Sequence, residues 1–291
     1  MQPWVTEHGM DAAWLERVFA GVKKYPRVIR AMNHQAESKP FYKYRDHITS
    51  PWLYKKGRKK WAEYGDLLRQ TGARYAVDPA FIIALWGMES RFGSYMGKHP
   101  VLRTLYTLSV DYPRRAKFFR SELRHFLLLC QEQGWDPEQP LGSYAGAMGH
   151  VQMIPSSMRR YALDENGDGT LGVFDNAVDA TASIANYLAK HGWQRGGLYT
   201  LPVKKGHHLA KLRSKRVKQM QPWSWWQSRG VEITQQSAKL EPETPMALIR
   251  LEEADGDRYY AVFNNFRVIL DWNRSLRFAK VVGELAEGFT R

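Results

Sequence analysis

Cysteine is almost missing from this chain: Cys130 is the only one in 291 residues. A single thiol permits no internal disulfide and leaves the redox compartment open, so stability rests on the sizeable core a chain of this length can bury. Cys130 follows Phe126-Leu127-Leu128-Leu129 and reads as a buried small hydrophobe, not a nucleophile. Long apolar runs are missing too; none approaches the roughly 20 residues of a membrane helix. Met1-Gln2-Pro3-Trp4 lacks a basic-then-apolar export signal, so the protein either stays inside or is a mature form without its signal. The sequence has no Gly-rich phosphate loop, zinc-ligand spacing or nucleophile elbow, and its histidines lack metal-ligand spacing. Acids are scarce relative to bases: 29 Asp and Glu face 43 Lys and Arg, a formal charge of +14. That balance attracts polyanions such as nucleic acid, anionic membrane or acidic polysaccharide.

What is present is globular. A hydrophobic fraction of 44% with 25% charged residues argues against disorder and collagen-like repeats. The 11 Trp, 15 Tyr and 12 Phe supply core and also suit flat ligands.

The N-terminal third reads helical. Asp11 caps a first helix running to Lys24 and ended by Pro26. A polar, aromatic loop, Ser38-Lys39-Pro40-Phe41-Tyr42-Lys43-Tyr44-Arg45, follows, then a helix from about Lys59 to Gln70, with Gly72 at its end. In the centre, Asp78-Pro79 starts a helix that stops at Gly93. Pro113, Pro155 and Asp175 or Asn176 open further helices around the Gly-rich stretch 142–149. After Gly196-Gly197 the pattern turns β-rich. Met246 to Leu251 and Tyr259 to Phe263 read as strands around an Asp255-Gly256-Asp257 turn, with Arg267-Val268-Ile269-Leu270 as one more strand. From Ser275 the chain is helical again. The fold class is mainly α, of α+β type. It divides into an N-terminal helical domain at 1–75, with the helix 275–291 packing back on it, a core at 76–196, and a small β-rich domain at 197–274.

Within the helix 79–91, Ile82, Leu85, Trp86 and Glu89 fall at i, i+3, i+4 and i+7, which makes Glu89 the one acid on an apolar stripe. Desolvation and the negative end of the helix dipole both favour its protonated form, as a general acid requires. The alternative is a structural Glu paired with Arg91 or another base.

The stretch Trp86-Gly87-Met88-Glu89-Ser90-Arg91-Phe92-Gly93 resembles the catalytic motif of the membrane-bound lytic transglycosylase B family. Three further blocks agree in order: Asp111-Tyr112-Pro113-Arg114-Arg115-Ala116, the run from Gly142 through Gln152 to Ser157, and the run from Ala185 to Trp193. The likeness extends from about residue 34 to the C-terminus. It implies a lysozyme-like helical catalytic core. It also implies cleavage, without water, of the β-1,4 bond between N-acetylmuramic acid and N-acetylglucosamine in peptidoglycan, leaving 1,6-anhydromuramoyl ends. Glu89 would protonate the glycosidic oxygen as acid, then take the C6 hydroxyl proton as base. A hydrolysing muramidase and a non-catalytic peptidoglycan-binding protein are the alternatives.

By the same resemblance Ser143, Gln152, Tyr187 and, more loosely, Tyr44 line the substrate groove. Trp272 and Asn273 stand where relatives carry Tyr-Asn, so stacking survives and a hydroxyl is lost. Arg114 and Arg115 bind the lactyl carboxylate or the stem peptide, or else are solvated helix-start charges. Without the family, Ser143 sits in a tightly packed Gly/Ala run and Tyr187 is core. No organic cofactor and no nucleic-acid partner are implied. The expected setting is the periplasm or cell envelope of a Gram-negative bacterium. Membrane attachment through a lipidated N-terminus outside this chain, and cell-wall synthesis or secretion machinery, are the further partners considered.

Asp164-Glu165-Asn166-Gly167-Asp168-Gly169-Thr170 follows the EF-hand pattern, with oxygens at positions 1, 3 and 5, a glycine turn, and the Thr170 carbonyl at 7. This suits a single structural Ca²⁺. The twelfth position is Asp175, but the family's longer loop matches Asp179, which is favoured as the closing carboxylate. An ion-free turn is the alternative. Finally, the positive charge is uneven. Lys204, Lys205, Lys211, Arg213, Lys215, Arg216 and Lys218 crowd 203–218 without an acid, and Lys55, Lys56, Arg58, Lys59 and Lys60 form a second run. Both are expected to hold an acidic glycan near the groove.

Overall fold

The structure, a computed structural model, describes residues 2–33, 39–204, 206–234 and 240–291. Met1, Ser38 and Lys205, named above, lie outside the described residues. In chain order the elements are α1 (Gln2–His8), α2 (Ala12–Ala20), α3 (Arg27–Asn33), α4 (Phe41–Ile48), α5 (Pro51–Tyr75), α6 (Pro79–Ser90), β1 (His99–Pro100) and α7 (Val101–Asp111). A 3₁₀ turn (Pro113–Arg115) leads into α8 (Ala116–Gln133), β2 (Leu141–Gly142), α9 (Pro155–Tyr161) and α10 (Ala177–Lys190). The rest are β3 (Thr200–Val203), α11 (Leu209–Leu212), β4 (Gln221–Pro222), α12 (Trp223–Gln227), β5 (Pro245–Glu253), β6 (Gly256–Val262), α13 (Asn264–Trp272) and α14 (Leu276–Thr290). The mainly helical α+β expectation holds.

The chain forms two compact units: residues 1–37 with 89–184, and residues 38–88 with 185–291. In the first unit α7 packs on α8, α8 on α9, and α3 on α7. Val101, Leu105, Leu108, Phe119, Phe126 and Leu127 are fully buried. Cys130 is buried with them, and desolvation pushes its thiol pKa up to about 12. It is an inert hydrophobe, as expected.

The second unit holds an antiparallel sheet of order β3-β6-β5-β4. One side of it carries a cluster that includes Trp223, Trp226, Met246, Leu248 and Tyr259. The β5–β6 hairpin closes through Ala254-Asp255, since Glu253 pairs with Gly256. Gly256, at φ 111°, opens the return strand and does not sit mid-turn as read from the sequence. Ser275 caps helix α14, its hydroxyl accepting from Phe278 N, and the helix packs on α5.

Several local readings change. The first long helix stops at Ala20 because Gly21 takes the C-cap, short of Lys24. Residues 41–48 are helix, not loop. Phe41 is fully buried and Arg45 pairs with Glu253 of β5 at 3.0 Å, so tertiary contacts fix a segment without strong local signals. Helix α5 begins eight residues earlier than read, at Ser50-Pro51, where the serine hydroxyl caps Leu53 N. It also runs through Gly72. A Cβ there would lie 2.7 Å from both the Val77 carbonyl and Pro79, so this glycine permits a close approach and does not end the helix. Arg267 to Leu270 is helix, not strand: Arg267 pairs with Asp271 one turn on at 2.8 Å, and Phe266, Val268 and Ile269 face the core. Helix α7 had no counterpart in the sequence reading.

Candidate active site and cation loop

Helix α6 is buried on all sides, not along one stripe; Ile82, Ile83, Ala84, Leu85 and Trp86 have at most 1% exposure. Glu89 is half-buried in its last turn and Ser90 is buried. The chain then leaves through three consecutive left-handed residues, Arg91 (φ 52°), Phe92 (φ 61°) and Gly93 (φ 76°). Two of these are not glycine, so the exit stores strain that its surroundings must hold. Ser90 Oγ accepts from Gly93 N at 2.9 Å, and Ser90 O accepts from Tyr95 N at 2.9 Å. Glycines then bring this turn against the Gly-rich stretch. A Cβ on Gly93 would sit 2.4 Å from the His150 ring, and one on Gly97 would sit 2.1 Å from the Gly142 carbonyl.

That stretch is itself a tight loop. Ser143 N donates to Ala147 O at 2.8 Å, while Ser143 Oγ accepts from Ala147 N at 3.0 Å and Ala145 N at 3.3 Å. Gln152 adopts φ 46°, and its Nε2 donates to Met96 O (3.0 Å) and Gly149 O (2.9 Å). Its amide therefore staples the segment after Glu89 to the loop that carries Ser143. The structure brings the Glu89 turn, Ser143 and Gln152 into one small assembly of the first unit. Arg114 and Arg115 belong to the same unit and are exposed on the 3₁₀ turn, with the Arg115 guanidinium 4.2 Å from the Phe118 ring centre.

The other expected groove residues belong to the second unit. Tyr187 is 8% exposed, stacks on His191 with centroids 3.9 Å apart, meets Trp272 edge-on at 4.7 Å, and donates its hydroxyl to Asp271 O at 2.8 Å. Asn273 is exposed after α13, and its Oδ1 accepts from Ser275 N. Tyr44 is half-buried on α4.

Sequence reading passed over one acid. Glu122 is 3% exposed on α8 and accepts from both Ser156 N (2.9 Å) and Ser156 Oγ (2.8 Å) at the start of α9. Burial raises its pKa, and the Ser156 bonds pull the other way. Its place between Phe119, Leu123 and Phe126 is the apolar-stripe signal that singled out Glu89, so it was available in the sequence.

In the acidic loop, Asp164 accepts from the amides of Gly167, Asp168 and Gly169 at 2.8–3.1 Å. Asn166 Oδ1 accepts from Asp168 N, and Asp168 Oδ1 from Thr170 N and Oγ1; the Thr170 hydroxyl bond, with a second from Asn166 Nδ2 to Asp168 Oδ2, holds Asp168 below the usual carboxylate pKa. Asp179 is fully buried and closes the loop. Its Oδ1 accepts from Glu165 N and Asn166 N, and its Oδ2 from Gly172 N. Asp175 is exposed. Among the described residues no three His, Cys, Asp or Glu side chains are grouped to hold a metal ion. The donor set, three carboxylates with an amide oxygen and the Thr170 carbonyl, fits a hard cation in chemistry.

Residues 1–287 match the transglycosylase SLT domain. The chain belongs to the lytic transglycosylase family. It is 33% identical over 300 residues to membrane-bound lytic murein transglycosylase B of Escherichia coli K12, covering 97% of this chain and 79% of that one. Among solved structures of this lytic transglycosylase family, the soluble lytic transglycosylase SltB1 of Pseudomonas aeruginosa superposes with a TM-score of 0.93 at 31% identity, over 100% of this chain and 96% of that one. The Escherichia coli lytic transglycosylase Slt35 in complex with calcium gives 0.89 at 32% identity, covering 99% and 90%. SltB3 of Pseudomonas aeruginosa in complex with NAG-anhNAM-pentapeptide gives 0.87 at 33% identity, covering 98% and 76%. The lysozyme-like core expected of this lytic transglycosylase is the fold these neighbours share. No described helix is long and apolar enough to cross a membrane.

Proposed function

We propose that this lytic transglycosylase cleaves the muramic acid–glucosamine β-1,4 bond of peptidoglycan and leaves 1,6-anhydromuramoyl ends, with Glu89 as its acid and then its base. The observation that carries the residue assignment is the Glu89 turn, strained and clamped by glycine contacts against the Ser143–Gln152 loop. Such clamping fixes a carboxyl group where a glycosidic oxygen could meet it. One carboxyl serves both steps because they follow in sequence. The proton given to the leaving sugar in the first is replaced by the C6 hydroxyl proton in the second, as that oxygen closes on C1. Ser143 and Gln152 orient the sugar chain, Tyr44, Tyr187, Trp272 and Asn273 supply further groove contacts, and Arg114 and Arg115 meet its acidic groups.

The proposed layout assigns 76–196 the chemistry and 1–75 and 197–274 the flanking support. Asp164, Asn166, Asp168, the Thr170 carbonyl and Asp179 would hold a Ca²⁺ that braces the loop before α10; the calcium-bound Slt35 relative supports this reading. We assign the enzyme to the periplasmic envelope of a Gram-negative bacterium, with membrane attachment suggested by the description of its Escherichia coli relative.

Digestion of purified peptidoglycan with wild type and Glu89→Gln, followed by mass spectrometry of the fragments, tests the proposal. Anhydro ends from the wild type and a loss of about 10² to 10⁴-fold in the variant are expected. Reducing ends would point to hydrolysis, and an active variant would remove Glu89 from its role.

A further inference from the structure

The second unit contains a concave, strongly cationic pocket of about 660 Å³ that neither the fold nor the Glu89 chemistry accounts for. Its rim carries Arg213, Lys215, Arg216, Lys218, Arg250 and Arg274. Only one acid, Asp271, lines it, and that carboxylate is already shared by Lys218 at 2.6 Å and Arg267 at 2.8 Å. Arg250 is engaged by Asp257 at 2.9 Å. Arg213, Lys215, Arg216 and Arg274 form no ion pair with any described residue, and all four are exposed. Four unmatched cations around one concavity repel one another unless an anion sits among them.

The pocket is built rather than incidental. Ser214 ties the basic segment to the sheet through two bonds, Ser214 N to Leu248 O at 2.8 Å and Leu248 N to Ser214 Oγ at 3.1 Å. The floor is apolar, made by Val217, Ile249, Leu270 and Leu276, of which the first two are buried. A ligand for this site therefore pairs small aliphatic groups with carboxylates. The site also shares the α13 C-terminal segment with Trp272 and Asn273: Leu270 and Asp271 precede that pair, and Arg274 follows it.

We infer that this pocket binds the carboxylate-bearing stem peptide of the glycan substrate, with the arginine forks on its carboxylates and the apolar floor under its aliphatic side chains. The inference rests on the peptidoglycan reading given above.

The test uses the full chain and the triple variant Arg213→Gln, Arg216→Gln, Arg274→Gln, none of which touches the proposed acid. Binding of a synthetic stem tetrapeptide is measured by calorimetry, beside the same peptide with its carboxylates amidated. Turnover is measured on peptide-bearing strands and on strands stripped of peptide by an amidase. The expected result is a loss of about tenfold in peptide affinity, and a similar loss in kcat/KM on peptide-bearing strands only. The amidated peptide should bind the wild type as weakly as the free-acid peptide binds the variant. Arg213→Lys, which keeps the charge and loses the fork, should fall between. Equal peptide binding by wild type and variant, or equal loss on both strand types, would overturn the subsite. So would loss of binding to phosphatidylglycerol vesicles with peptide binding intact, which would assign the pocket to a lipid headgroup. If wild type cuts neither strand, the peptidoglycan reading fails, while the calorimetry still decides the pocket.

Discussion

Two loops of the first unit do similar work with opposite materials. The stretch 142–153 holds its shape through missing atoms: Gly97 against Gly142, Gly93 against His150, and Gly149 against Val173, where a Cβ would lie 2.5 Å from the carbonyl. The stretch 164–179 holds its shape through added atoms, namely the oxygens of Asp164, Asn166, Asp168 and Asp179 on its own amides. A loop built on absent side chains has little slack, because a substituent collides with backbone at Gly97 and Gly149 and with the His150 ring at Gly93. A loop built on polar side chains can lose one bond and let water replace it, except where the acceptor is buried.

The most severe break expected is therefore Gly97→Ala, which combines φ 95° with a 2.1 Å clash against backbone. Strain and overpacking together should cost about 3 kcal/mol or more, read as a loss of denaturation midpoint together with activity. Next is Asp179→Ala, which strands three amides, one of them the buried Gly172 N–H; about 2 to 3 kcal/mol is expected, against under about 0.5 kcal/mol for the exposed Asp175→Ala. Equal effects at the two aspartates would undo the assignment of the closing carboxylate. Smaller still is Asp168→Ala, whose exposed bonds water can replace, so without added metal its melting temperature should fall less than that of Asp179→Ala. Calcium should raise the melting temperature of the wild type and leave that of Asp168→Ala nearly unchanged. A rise in both would separate the ion from this loop.

The mildest effect sharpens a different contrast, between the polar loop's exposed acids and buried Glu122. Asp168 is held below its ordinary pKa and Glu122 above it. For Glu122 the folded state keeps its proton longer than the unfolded state does. Its contribution is thus fully present below the unfolded pKa near 4.5 and is lost as pH rises through the folded value. Glu122→Gln should flatten stability against pH in that window. A slope unchanged by the substitution would mean that Glu122 is not the titrating group.

The same contrast explains how much could be read in advance. The polar loop announces itself, since alternating Asp and Asn with two glycines is a pattern of residue types. The stops and starts at Asp11, Ser275 and Pro155 were legible for the same reason: a cap or a proline acts locally. The glycine loop could be located but not built, because the atoms Gly97 avoids belong to Gly142. Gly72 misled as a helix end because its packing partner, Pro79, lies in the next helix. The run Arg267 to Leu270 is too short for periodicity to separate strand from helix, and its pairing with Asp271 decided it. The positive φ of Gln152 has no signature in composition, although the family resemblance singles that residue out.

The lone thiol gives the first unit a clock. Cys130 is sealed among α8's core residues, where burial pushes its thiol pKa up to about 12. A thiol reagent reaches it only during the moments when that helix swings open. The rate at which intact enzyme consumes such a reagent thus counts those openings, and wild-type protein needs no engineered probe to report them.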